Sequence, residues 1–155
     1  MYPEIAALVD RAEEHYLASN DIEALRHHTA SLTQRLKTYE MMREQEIDIF
    51  QPVADRLLAA FPTQEQATLE KALQHWLLIL RYCAMAMLSN NQDFLRQQLQ
   101  DWFQGLVQAH ELQPIEVKLY QLLQERLKEL LSEQGVELLG PFLAQAEALL
   151  VGAKT

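Results

Sequence analysis

One cysteine, Cys83, is all the sulfhydryl chemistry the chain has. No intrachain disulfide can form, and no cysteine-rich metal cluster can be built. Glycine and proline are also scarce, at four and five residues, so there is little material for the turns of a β-rich fold. Basic side chains are outnumbered by acidic ones, 13 to 22, and the net charge is −9. Such a chain is repelled by nucleic-acid phosphates and by anionic lipid headgroups, so nucleic acid is excluded as a partner. No long apolar run is present either. The most apolar stretch, from Trp76 to Leu88 within "KALQHWLLILRYCAMAML", is 13 residues long and carries Arg81 near its middle. A membrane-spanning helix needs about 20 apolar residues. A central arginine would add about 2.5–3.5 kcal/mol to insertion. The chain is therefore read as not membrane-spanning. The beginning, "MYPEIAALVDRAEE", lacks the basic region and apolar run of a secretory signal. A reducing, cytoplasmic setting is expected.

What is present points to helices. Hydrophobic residues make up 49% of the chain, and Leu, Ala, Gln and Glu, all strong helix formers, dominate. Pro3 suits a first helical turn. Ile5, Leu8, Val9, Ala12 and Tyr16 then recur at helical spacing, predicting a helix to about Ala18. Asn20 with Glu23 has the form of a capping box for a long second helix. Along it Ile22, Leu25, Thr29, Leu32, Leu36 and Tyr39 step by threes and fours and predict a core-facing stripe. A third helix is expected to start at Pro52 and stop at "FP". Thr63 with Gln66 predicts a cap for the central helix, from about Gln64 to Leu88. Because its second half is apolar nearly all round, it is expected to be covered on every side. Leu77, Leu80, Ala84 and Met87 are its expected core residues. "SNNQD" reads as a capped turn. Phe94, Leu95, Leu99, Trp102, Phe103 and Leu106 mark the next helix. Pro114 opens another, faced by Ile115, Leu119, Leu122, Leu123, Leu127 and Leu130. Gly135 is expected to break it, and Gly140-Pro141 to restart a last helix through Leu150. The fold class is all-α. No linker or repeat divides the chain, so one domain over 1–155 is expected.

Candidate chemistry is thin. His27-His28 lies mid-helix with no further ligand at metal spacing, and His15 beside Glu14 and His110 beside Glu111 are no stronger. A haem would need a histidine on an apolar helix face, for which His75 and His110 are the candidates. There is no nucleophile elbow and no Gly-rich phosphate loop. Cys83 lies in the apolar run without a base, as a buried inert thiol would. No catalytic residues and no metal ligands are assigned, and no enzyme is expected.

The order of these pieces resembles the phycobiliprotein subunits of phycobilisomes. "YLASNDIEALRHHTASLTQRLKTYEMMREQEIDIFQPVADRLLAAFP" looks like their N-terminal half, with a step between two helices and a helical segment ending in "FP". "LQHWLLILRYCAMAMLSNNQDFLRQQLQDWFQGL" is similar to their central helix, with "LRY", a loop and the next helix. "PIEVKLYQLLQERLKELL" fits the helix after that. The resemblance implies a globin-like helical bundle. Residues 1–49 would be an N-terminal helical extension with the first core helix, and 50–155 the rest of the core.

The departures from the family bear on function. Light-harvesting subunits attach a linear tetrapyrrole to a cysteine nine positions before the arginine of "LRY"; here Ala72 holds that place. The arginine and aspartate that hold the bilin correspond to Gln74 and His75. The loop before this segment is shorter than in those subunits. The resemblance therefore implies a bilin-free relative, similar to the cyanobacterial bilin-biogenesis-associated globins. Such a protein would act in phycobilisome biogenesis or assembly, at the stromal-side face of the thylakoid. A bilin or haem held without a covalent bond is the alternative. The resemblance also implies that Arg81 pairs with an acid on a partner's first helix. Asp10, Glu13 and Glu14 are the acids available on this chain's own. Ile5, Leu8, Val9, Asp10, Ala12, Tyr16 and Arg81 are accordingly the expected interface, either of a homodimer or with a phycobiliprotein subunit.

Overall fold

The structure, a computed structural model, describes residues 2–106 and 113–150, with side chains for 2–100 and 114–150. Seven helices and no strand are found among the described residues: α1 (Pro3–Glu14), α2 (Ser19–Glu44), α3 (Glu46–Ala60), α4 (Gln66–Ser89), α5 (Gln92–Leu106), α6 (Gln113–Leu130) and α7 (Glu133–Leu150). The all-α expectation holds. Trp102, Phe103, Leu106 and His110 have side chains outside the described residues.

The central helix is α4, which packs against α2, α3, α5, α6 and α7. Leu69, Ala72, Trp76, Ile79, Cys83, Ala86 and Met87 are buried along it, at the spacing of one broad helical face. Ile49, Val53 and Leu57 of α3, Leu95 and Leu99 of α5, Leu119 and Leu123 of α6 and Leu139 of α7 close the core around that face. Of the residues expected in the core of α4, Leu80, Ala84 and Met87 are buried, whereas Leu77 is only half-buried. Asn90 ends the helix in the left-handed conformation (φ 47°, ψ 49°), which asparagine tolerates better than most residues. Asn91 then caps α5, its Oδ1 accepting the Phe94 N–H at 3.0 Å.

Several boundaries differ from expectation, each for a local reason. α1 stops at Glu14, because the chain must extend over the next residues to bring the Ala18 N–H to the Asp21 carboxylate (3.3 Å). That carboxylate also accepts from Arg11, so Asp21, rather than Asn20 with Glu23, ties α1 to the start of α2. Glu23 pairs instead with Arg26 at 2.6 Å. α3 starts at Glu46, and Pro52 lies inside it. Proline has no N–H for the carbonyl four residues back. Here that carbonyl belongs to Asp48, and Arg126 of α6 donates its Nε–H to it at 2.9 Å. The defect that would break an isolated helix is closed by a neighbouring one. α4 begins without the Thr63–Gln66 box; Gln66 donates to Glu70 at 2.8 Å.

α7 shows the same effect. Ser132 caps it, its hydroxyl accepting the Gly135 N–H at 3.1 Å. Gly135 therefore sits in the first turn rather than breaking the helix. It is buried against α2, where a Cβ would stand 3.3 Å from the Thr38 hydroxyl. The helix continues through Gly140 and Pro141 to Leu150.

The largest departure concerns the apolar stripe of α2. Ile22, Leu25, Thr29 and Leu36 are exposed, and Leu32 and Tyr39 only half-buried. The core side of α2 is instead the Thr38–Met42 side, where both residues are buried and the Thr38 hydroxyl is satisfied by Gln34 O at 2.9 Å. With 26 residues α2 is about 39 Å long, and apart from Asp21 its buried residues, Thr38 and Met42, lie in its last third.

Candidate functional site: the outer face of the central helix

α4 is not covered on every side, contrary to its composition. Gln74, Leu78, Arg81 and Met85 follow one another by threes and fours, forming a stripe that looks outward. Gln74, Arg81 and Met85 are exposed and Leu78 is half-buried. Arg81 stands in the middle of that stripe, which is why it interrupts an apolar run.

The guanidinium of Arg81 is held by Glu46, the first residue of α3. Nε donates to Oε1 at 2.7 Å and Nη2 to Oε2 at 3.0 Å, a two-point contact. Hydrogen bonding to Arg81 holds the Glu46 carboxyl below its ordinary range, and the same bonds raise Arg81. Arg81 remains 59% exposed and Glu46 31%. By the usual value of exposed pairs, the contact adds at most about 1 kcal/mol to stability.

Two apolar depressions flank this ion pair, and Glu46 borders both. The first, about 220 Å³, has Tyr39, Met42, Leu80 and Ala84 as its floor, with Arg43 and Arg81 at the rim. The second, about 290 Å³, lies between α3 and α4 and is lined by Phe50, Ala54, Leu73, Gln74 and Leu77, with Ile47 on its edge. Ile47 is 77% exposed beside this apolar lining. Met85 and Leu36 are exposed nearby apolar residues of α4 and α2. A cleft with an apolar floor, two guanidinium groups and one carboxylate suits recognition of an apolar surface bearing acids. Among the described residues no acid–base pair is poised against a nucleophile there.

The other sequence candidates are dispersed. Ala72 is buried, so the position of the family's attachment cysteine faces the core, while Gln74 lines the second depression. His75 is half-buried, and burial together with nearby Lys71 lowers its pKa. Its neighbour Trp76 is fully buried, with its indole N–H given to Glu116. Cys83 is fully buried and donates to Phe142 O at 3.7 Å; burial pushes its thiol up to about 12. It is neutral and shielded at neutral pH, as an inert thiol should be. His15 contacts Tyr16 O at 2.8 Å, His27 is exposed, and the His28 ring meets Tyr2 edge-on at 4.6 Å.

α1 does not stand free of its own chain. Tyr2 donates its hydroxyl to Leu88 O at 2.5 Å, and Glu4 accepts from Asn90 at 2.8 Å. Leu8 is buried, and Arg11 reaches Asp21. Glu4, Leu8 and Arg11 share one helical face by their spacing. Leu8 is thus already committed within the chain. Ile5 is half-buried, while Val9, Asp10, Ala12, Glu13 and Glu14 remain exposed, as does Tyr16 just beyond the helix. Within the chain, Arg81 meets Glu46 rather than Asp10, Glu13 or Glu14. Sequence reading missed Glu46, Ile47 and Phe50. Ile47 had one local signal, an isoleucine set between Glu46 and Asp48.

A family model for phycobilisome proteins matches residues 7–149. No curated protein sequence matches the chain. The match takes in α2 to α6 entire, most of α1 and all but the last residue of α7. The chain therefore belongs to the phycobilisome protein family, a non-enzymatic light-harvesting family.

Proposed function

We propose that this chain is a non-enzymatic accessory member of the family, acting in phycobilisome assembly or phycobiliprotein biogenesis without a covalently attached bilin. The observation that carries the reading is the outer face of α4, with exposed Arg81 between two apolar depressions. Such a face suits a protein partner, whether a phycobiliprotein subunit or a second copy of the chain. The exposed flank of α1, with Val9, Asp10 and Glu13, supplies the complementary chemistry. Ala72 supports the absence of a thioether, since alanine offers no sulfur. Among the described residues no helix is long and apolar enough to cross a membrane. Light scattering at high micromolar concentration on the full chain and on one lacking residues 1–18 tests the association. A dimer that dissociates on truncation is expected; a full-length monomer defeats the homodimer. Co-expression with bilin synthesis and lyases is expected to give no zinc-fluorescent band on a denaturing gel, and a band would overturn the bilin-free reading.

A second reading, a carrier or sensor holding bilin or haem non-covalently, draws on the depression lined by Phe50, Leu73, Gln74 and Leu77. An absorption titration of the purified protein with bilin or haem separates the two: saturable binding with a shifted spectrum supports the carrier.

A further inference from the structure

Glu46 occupies a peculiar position. Among the described residues it alone borders both depressions, and its carboxylate spans the gap to α4. Without that bridge, the two depressions would run into one groove along α4 from Leu73 to Ala84. At 1.5 Å per residue this groove is about 16 Å long, room for three turns of a docked helix. Helices dock in such grooves through apolar anchors spaced by three, four and seven.

The groove has a charge preference as well as a shape. Its cations are Arg81, neutralised by Glu46, and Arg43, whose nearest carboxylate is that of the adjacent Glu44 at 3.6 Å. An incoming acidic helix therefore meets a cation already satisfied, and a carboxylate that repels it. α1 has the matching composition. Exposed Val9 and Ala12 form a short apolar line with Glu13 and Asp10 on one side of it, while Leu8 and Arg11, on its other side, are held against their own chain. The free flank can dock on another copy without undoing that attachment.

We infer that Glu46 is an internal gate on this groove: its carboxylate stands in for that of a second copy's α1, and docking displaces it from Arg81. The inference rests on the proposed partner-binding role of this face. It makes the strength of association depend on a residue that need not touch the partner. Neutralising Glu46 removes both the competitor and the repulsion, so it tightens the complex. A residue serving only stability would weaken the complex or leave it unchanged.

Sedimentation equilibrium of the full-length chain gives the readout. Glu46→Gln is expected to lower the dimer dissociation constant at least about fivefold, and Arg81→Gln to raise it. In the Arg81→Gln background, Glu46→Gln is expected to bring no gain. Glu44→Gln, two residues away, controls for the loss of one negative charge from an acidic chain and is expected to change little. An unchanged or weaker dimer in Glu46→Gln overturns the gate, as does equal tightening in Glu44→Gln or in the Arg81→Gln background. If wild type dimerises and Arg81→Gln weakens it while Glu46→Gln does nothing, the partner-binding reading stands and the gate alone fails. If the Glu46 dependence persists in a chain lacking residues 1–18, α1 is not the occupant and the proposal falls. If neither wild type nor Glu46→Gln associates, the gate and the homodimer fail together.

Discussion

The inner and outer faces of α4 are built from nearly the same alphabet but serve different ends. On the inner face, Trp76, Ile79, Cys83 and Met87 lose essentially all contact with solvent. On the outer face, half a turn away, Gln74, Arg81 and Met85 stay exposed. The residues between them, Leu77 and Leu80, line the two depressions. Burial of apolar area is the dominant source of stability, at roughly 25 cal/mol per Å². The inner face therefore carries stability. An outer face that retains large apolar side chains around one arginine gains little for the lone chain and is suited to a partner. Hydrophobicity alone does not separate core from interface; coverage does.

The largest effect expected from breaking this contrast lies on the inner face. Trp76→Ala should cost about 3–5 kcal/mol in urea unfolding, the range for aromatic truncation in cores. It also strips Glu116 of an indole donor. A cost below about 1 kcal/mol would mean that α4 does not centre the core. Leu80 sharpens the contrast because it belongs to both faces: it is 4% exposed, yet it floors the first depression. Leu80→Ala is expected to cost about 2–5 kcal/mol and also to weaken association. A loss of stability with association intact would place the interface elsewhere.

Smaller effects belong to the outer face. Arg81→Gln should change unfolding free energy by no more than about 1 kcal/mol, the range for an exposed ion pair. A larger loss would make Arg81 a structural residue. The smallest effect is acid sensitivity. Glu46 has a depressed pKa, so its contribution is present above the ordinary glutamate value of about 4.3 and is lost as pH falls through its folded value. The stability difference between wild type and Glu46→Gln should shrink on acidification from pH 5 to pH 3. A difference that grows would reverse the sign of the linkage.

Helix number, order and the role of α4 as the central helix were legible because 3.6-residue periodicity survives in any one sequence. What failed was local punctuation and coverage. Pro52 read as a helix start because proline lacks an N–H; the repair comes from Arg126, 74 residues further along the sequence. Gly135 read as a break because glycine is flexible, but Ser132 caps its N–H and Thr38 on α2 packs closely against it, so it opens α7. The α2 stripe read as core because periodicity reveals that a helix has an apolar side, not what lies against it. Arg81 was singled out because it interrupts the apolar run. Its partner within the chain, Glu46, was out of reach, since nothing local joins residues 35 positions apart.

Met85 offers the most direct test of the division between the two faces. It is 38% exposed, one turn beyond Arg81, and takes no part in the buried core cluster. The measurement is sedimentation velocity at high micromolar concentration on wild type and Met85→Asp, with thermal unfolding on the same samples. The account predicts a wild-type dimer and a monomeric variant. The variant's own fold should remain intact, any shift in melting temperature coming from lost association and staying within about 4 °C, the equivalent of roughly 1 kcal/mol for a chain of this size. A Met85→Asp dimer as tight as wild type would contradict it, and so would a variant that unfolds.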